Sequence, residues 1–211
     1  GHHLGADAIA WDHRNSDHRA FCFSRSREGK GHYRGSRGQD MLRRGGAALG
    51  IFALLGLEAA TTGITEGMAA PAFAAQDQEG RTIKLQDFAG KSAVVLYFYP
   101  KDDTPGCTKE ACSLRDGSAD LRAAGAVVLG VSADDVASHR AFARKFNLPF
   151  SLLADPERRI IDAYGVRMPV LGVARRVTFV IDRGGIVRKV FTDVQSATHD
   201  RQVLEVLRTL K

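Results

Sequence analysis

The chain has 211 residues, 44% of them hydrophobic, which suits one domain with a single sizeable core, or one domain with an extension. Three cysteines in this length argue against a disulfide-stapled secreted scaffold, and no His/Cys group has zinc-like spacing. The formal charge of +6 is uneven: residues 1–46 hold nine Lys/Arg and five Asp/Glu, a net of +4 that leaves +2 for the rest, so no folded nucleic-acid surface is implied.

From Gly1 to Asp40 neither a helical nor a strand period persists, and the text is rich in Gly, Arg, Ser and His. It reads as disordered, with Cys22 an incidental exposed thiol. Met41-Leu42-Arg43-Arg44 and the apolar run Ala47 to Leu57 admit two readings. A basic segment followed by eleven largely apolar residues fits an export signal with Met41 as its start. Glu58 follows directly and no clean A-x-A cleavage site appears, which fits an ordinary frayed leader. Either way the run is too short to span a membrane as a helix. Residues 1–60 are thus a basic extension, with a possible leader at 41–60. The preferred location is cytoplasmic, and the alternative is export to a periplasm.

Globular text begins at Ile64 and continues to Lys211. Gln76 to Gly80 reads as a turn, Arg81 to Leu85 alternates like a half-buried strand, and Leu85 to Gly90 suggests one helical turn. Ala93 to Tyr99 is nearly all apolar, the mark of a central strand covered on both faces. A helix is expected over 105–124, with Leu114, Leu121 and Ala124 on one side. Ala126 to Ala133 is a second buried strand. Asp134 is the expected cap of the next helix, whose Val136, Phe142 and Phe146 face the core. Phe150 to Leu153 is a short strand, and Asp155-Pro156 starts a helix through Ile160 and Tyr164. Val177 to Ile181 and Ile186 to Phe191 form a hairpin across Asp182-Arg183-Gly184-Gly185. The last helix, about Thr198 to Leu210, lines up Val203, Leu204, Val206, Leu207 and Leu210. Strands alternating with helices and ending in a hairpin give an α/β sandwich.

The chemistry centres on Tyr97 to Cys112. Pro100 stops the central strand, and Thr104-Pro105-Gly106 marks a helix start, where proline's missing N–H costs nothing. Cys107 then sits among backbone N–H groups without intrahelical partners, at the positive end of the helix dipole. That place favours an anionic sulfur, the nucleophilic form. The bland alternative is a small buried apolar residue.

Pro100-x-x-x-Thr104-x-x-Cys107 resembles the active-site signature of peroxiredoxins. The fuller string from Thr104 through Cys107, Glu110 and Cys112 to Arg115-Asp116 is similar to the bacterioferritin comigratory protein, or peroxiredoxin Q, subfamily. The likeness runs over Ile64 to Lys211, and Gly67 to Phe73 resembles the opening of thioredoxin-fold peroxidases. It implies a thioredoxin-like fold, a central mixed β-sheet flanked by helices. It also implies a thiol-dependent peroxidase that reduces hydrogen peroxide and organic hydroperoxides through a cysteine sulfenic acid. By resemblance Cys107 is the peroxidatic residue, Thr104 Oγ and the Cys107 N–H bind the peroxide, and Pro100 shields the sulfur. Arg176, opening the strand Val177 to Asp182, is the cation at the sulfur, with Arg175 the better surface residue. Glu110 reads as a structural hydrogen-bond partner or a surface residue rather than a base.

Cys112 is read as the resolving cysteine of an intrachain disulfide with Cys107, against the alternative of a buried core residue. On a regular helix five residues turn about 500° and rise about 7.5 Å, beyond the roughly 7 Å that a disulfide allows between Cα atoms. Such a bond requires the first turns of the helix to unwind. The implied partners are a hydroperoxide and thioredoxin or a similar dithiol; the chain is read as a monomer with no cofactor, metal, nucleic acid or membrane span. The competing functions are a thiol–disulfide oxidoreductase, which lacks its Cys-x-x-Cys pair here, and a non-catalytic thioredoxin-fold binding module.

Overall fold

In the computed structural model, which describes residues 63–210, seven strands form one mixed sheet. The readings made for the arm, the leader at 41–60 and Cys22 lie outside the described residues. The strands are β1 (Ala74–Asp77), β2 (Thr82–Lys84), β3 (Ala93–Phe98), β4 (Ala126–Ser132), β5 (Ser151–Ala154), β6 (Val177–Ile181) and β7 (Val187–Phe191). Their order across the sheet is β2-β1-β5-β4-β3-β6-β7. β3, β4 and β5 run parallel; β1, β2, β6 and β7 join antiparallel at the flanks.

The central strand is apolar throughout because both of its faces are covered. Val95, Tyr97 and Tyr99 point to one core, Val94, Leu96 and Phe98 to the other, as the two-residue period of a strand dictates. The first core is roofed by α1 (Pro105–Asp116), α2 (Ser118–Ala123), α3 (Val136–Phe146) and α5 (His199–Thr209). The second is closed by α4 (Arg159–Ala163) with Phe73, Tyr164 and Val166.

Two local expectations are corrected. The helix expected over 105–124 breaks at Gly117 into α1 and α2. A Cβ on Gly117 would lie 2.6 Å from Asp200 Cβ, so the break admits the first turn of α5. Asp134 does not cap α3. Asp135 does, its carboxylate accepting from Ser138 N at 2.8 Å, while Asp134 turns back toward the β3–α1 loop.

β3 and β6 pair antiparallel, with Tyr97 opposite Thr178. Arg176, Thr178 and Val180 alternate toward one face of β6, and Val180 belongs to the core that α1 covers. The residue at the mouth of β6 therefore points at the start of α1.

Candidate active site

Thr104 is the N-cap residue of α1 in extended conformation, with φ −86° and ψ 150°. The first helical bond runs from Thr108 N to Thr104 O at 2.8 Å, so the Gly106 and Cys107 N–H groups precede the ladder. Thr104 Oγ1 does not bond these amides; it donates to the Lys101 carbonyl at 3.1 Å. Pro100 is half-buried just beyond β3.

Cys107 carries a free thiol and is 2% exposed. Arg176 Nη2 donates to its sulfur at 3.2 Å, and Arg176 Nη1 donates to Glu110 Oε2. One guanidinium fork thus spans two residues on the same face of α1, 69 positions away from the sulfur in sequence. Burial works against the charge on Arg176, but Glu110 and Cys107 beside it raise its pKa above the ordinary value. Glu110 is fully buried, and its Oε1 has no hydrogen-bond partner among the described residues. Burial pushes its pKa up to about 7, against the opposing pull of Arg176.

Arg175 points elsewhere, its Nη2 donating to the Gly165 carbonyl at 2.8 Å. Arg176 is thus the arginine whose side chain lies at the sulfur, and Arg175 is not. Glu110, read as a structural partner or surface residue, is the former. Cys112 lies buried in the core on the inner side of α1, within an unbroken helix.

Sequence reasoning missed a buried polar group under the loop, formed by Tyr99, Asp102, Ser138 and His139. A signal was present: His139 falls on the apolar stripe of α3 with Phe142 and Phe146, at helical spacing. Among the described residues no group of three or more His, Cys, Asp or Glu is gathered as a metal ion would require. No helix among them is long and apolar enough to cross a membrane.

A cysteine at a helix start, held by a half-buried arginine on a thioredoxin-like sheet, defines a class of thiol enzyme. The profile described as the AhpC/TSA family matches residues 67–190. The chain is 43% identical over 159 residues to a Triticum aestivum protein named "Peroxiredoxin Q, chloroplastic", covering 72% of this chain and 73% of that one. Among solved structures, the peroxidoxin BcpB of Mycobacterium tuberculosis superposes with TM-score 0.66 at 33% identity, covering 69% of this chain and 97% of that one. The peroxiredoxin Q of Xanthomonas campestris gives 0.61 at 32% identity, covering 65% and 90%. The chain belongs to the AhpC/TSA family, in its peroxiredoxin Q and bacterioferritin comigratory protein branch, and is a thiol-dependent peroxidase of the kind recycled by thioredoxin.

Proposed function

We propose that Cys107 is the peroxidatic cysteine, Thr104 and the Cys107 N–H hold the peroxide, and Arg176 fixes the charge on sulfur and leaving oxygen. The Cys107 thiolate attacks the terminal oxygen of the hydroperoxide. An S–O bond forms, the O–O bond breaks, and the departing alkoxide or hydroxide takes a proton from solvent to leave as alcohol or water. The sulfur has then lost two electrons and is a sulfenic acid. Preorganised donors serve this step because charge moves from sulfur to the leaving oxygen, and Arg176 is aimed along that path. Pro100 limits water at the sulfur.

Cys112 then attacks the sulfenic sulfur, an S–S bond forms, and water leaves. A thioredoxin dithiol reduces the disulfide by exchange. The catalytic unit is residues 64–211, acting as a monomer in the cytoplasm, where a reducing pool returns Cys107 to the thiol. Removal of residues 1–60 is expected to leave it active.

One observation carries the reading: the 3.2 Å contact from Arg176 Nη2 to Cys107 Sγ at the start of α1. The test is peroxide consumption coupled to thioredoxin and its reductase. Wild-type protein is expected to turn over and Cys107→Ser to be inert yet folded; turnover by the variant at near wild-type rate would move the nucleophile elsewhere.

A further inference from the structure

Asp102 lies in the β3–α1 turn between Pro100 and Thr104, its side chain only 5% exposed, and nothing in the peroxide chemistry above employs it. Its Oδ1 accepts from Tyr99 OH at 2.7 Å, and its Oδ2 from Ser138 Oγ at 2.7 Å and His139 Nδ1 at 2.9 Å. His139 is fully buried, and its other nitrogen, Nε2, faces the Leu153 carbonyl at 3.1 Å. The ring thus bridges the Asp102 carboxylate and the backbone of β5. Burial would push Asp102 up, but His139, Ser138 and Tyr99 hold its pKa below the ordinary carboxylate value. The result is a buried carboxylate held by three side chains, two of them on α3, and a buried polar group of this kind is costly to break.

The peptide that leads into Asp102 is held at both of its polar groups. The Asp102 N–H donates to Asp134 Oδ2 at 2.9 Å, and Asp134 is itself steadied by Ser132 Oγ at 2.7 Å. The carbonyl of the same peptide, that of Lys101, receives the Thr104 hydroxyl proton at 3.1 Å. A peptide unit is planar, so holding its N–H fixes the direction of its C=O. With its proton committed to Lys101, the Thr104 oxygen presents lone pairs outward. The next residue, Asp103, holds a left-handed φ of 56°, which an Asp tolerates but which neighbours must enforce.

We propose that Asp102, clamped by His139 and Asp134, is a positioning residue for peroxide reduction: it locks the Lys101–Asp102 peptide so that Thr104 Oγ1 accepts from the hydroperoxide O–H instead of donating. This rests on Thr104 being a peroxide ligand, as stated above. His139 anchors the turn from α3, so the orientation of the peroxide is set by a helix that never touches it.

The experiment follows Cys107 oxidation by hydrogen peroxide in the reduced full-length protein by stopped flow, with iodoacetamide alkylation of Cys107 as a measure of the sulfur alone. Asp102→Asn and Asp134→Asn enter the same peptide from two sides. Each is expected to slow oxidation about 10-fold, the weight of one neutral hydrogen bond, with alkylation unchanged. In a Thr104→Val background, itself slow, neither is expected to add a further loss. If Asp102→Asn fails to fold, Asp134→Asn decides alone. Oxidation and alkylation falling together, or losses that multiply in full with Thr104→Val, would overturn the assignment. A silent Thr104→Val would remove Thr104 as a ligand and this role with it. A slow Thr104→Val with both aspartate variants silent would sink this inference only.

Discussion

A Cβ placed on Gly106 would lie 3.2 Å from Arg176 Nη2, so the guanidinium that reaches Cys107 crosses α1 where the helix has no side chain. That contact is tight but not forbidden, and the mobile end of the arginine must yield a few tenths of an ångström. Gly106→Ala is expected to slow peroxide oxidation of Cys107 by roughly 3- to 10-fold, since a misplaced charge-assisted donor loses part of its strength. Stability is expected to hold or to rise by up to about 1 kcal/mol, because alanine is the better helix former. Rapid-mixing kinetics and a denaturant melt on the same sample check both signs; a destabilised variant with unchanged oxidation would show that the glycine serves the turn and not the arginine.

Arg176→Lys keeps the charge and loses the fork. Lysine is a point donor and cannot bond Cys107 and Glu110 together as the two Arg176 nitrogens do. A charged hydrogen bond contributes about 1.5–3 kcal/mol, so the oxidation rate constant is expected to fall roughly 10- to 100-fold. Arg175→Lys is expected to leave it unchanged, because that side chain serves the Gly165 carbonyl. The reverse pattern would shift the role by one residue.

Much of this site is legible in the sequence for a plain reason. Pro100, Thr104, Pro105 and Cys107 all fall within one strand-to-helix turn, and local rules govern such turns. Arg176 is reached through the resemblance of the strand it opens, and the structure adds that it alternates to the side of Val180 in the core under α1. What sequence cannot supply is contact between distant elements. Gly117 breaks the expected 105–124 helix because Asp200, 83 positions later, occupies the space of its side chain. Asp134 looked like a helix cap by position, but the buried Asp102 N–H competes for its carboxylate and Asp135 is one residue nearer the helix. The charge state of Glu110 likewise follows from complete burial, which no local pattern encodes.

Glu110 ties stability to pH. Burial raises its folded pKa from 4.5 to about 7, so the native protein keeps a proton that the unfolded chain releases in between. The stability of the neutral form is complete below 4.5 and is lost as the pH rises to about 7. Glu110→Gln removes the titration and keeps an acceptor for Arg176. Wild type is therefore expected to lose on the order of 3 kcal/mol relative to Glu110→Gln across that window. Parallel urea melts from pH 4 to pH 8 would show it, and curves that stay parallel would mean that Arg176 holds Glu110 ionised throughout.

Disulfide formation between Cys107 and Cys112 is expected to require α1 to unwind from about Pro105 to Leu114. The helix is regular, Cys107 is free, and Cys112 is buried on its inner side, so the two sulfurs do not meet while α1 is intact. The position after Cys112 is held down: Ser113 Oγ donates to Asp200 Oδ1 at 2.6 Å and accepts from the Asp200 N–H at 3.1 Å. This clasp pins the C-terminal half of α1 to the first turn of α5, and it opposes the unwinding that resolution needs. Ser113→Ala is expected to speed disulfide formation severalfold and, because the sulfenic acid then persists for less time, to reduce over-oxidation to the sulfinic acid. Peptide mapping after peroxide treatment, with amide exchange across residues 104–116, provides the check. Loss of protection confined to α1 on oxidation, and a Cys107–Cys112 linkage, are the expected results. Protection unchanged by oxidation, or Cys107 joined to Cys22 or to a second chain, would instead leave an enzyme resolved by another thiol.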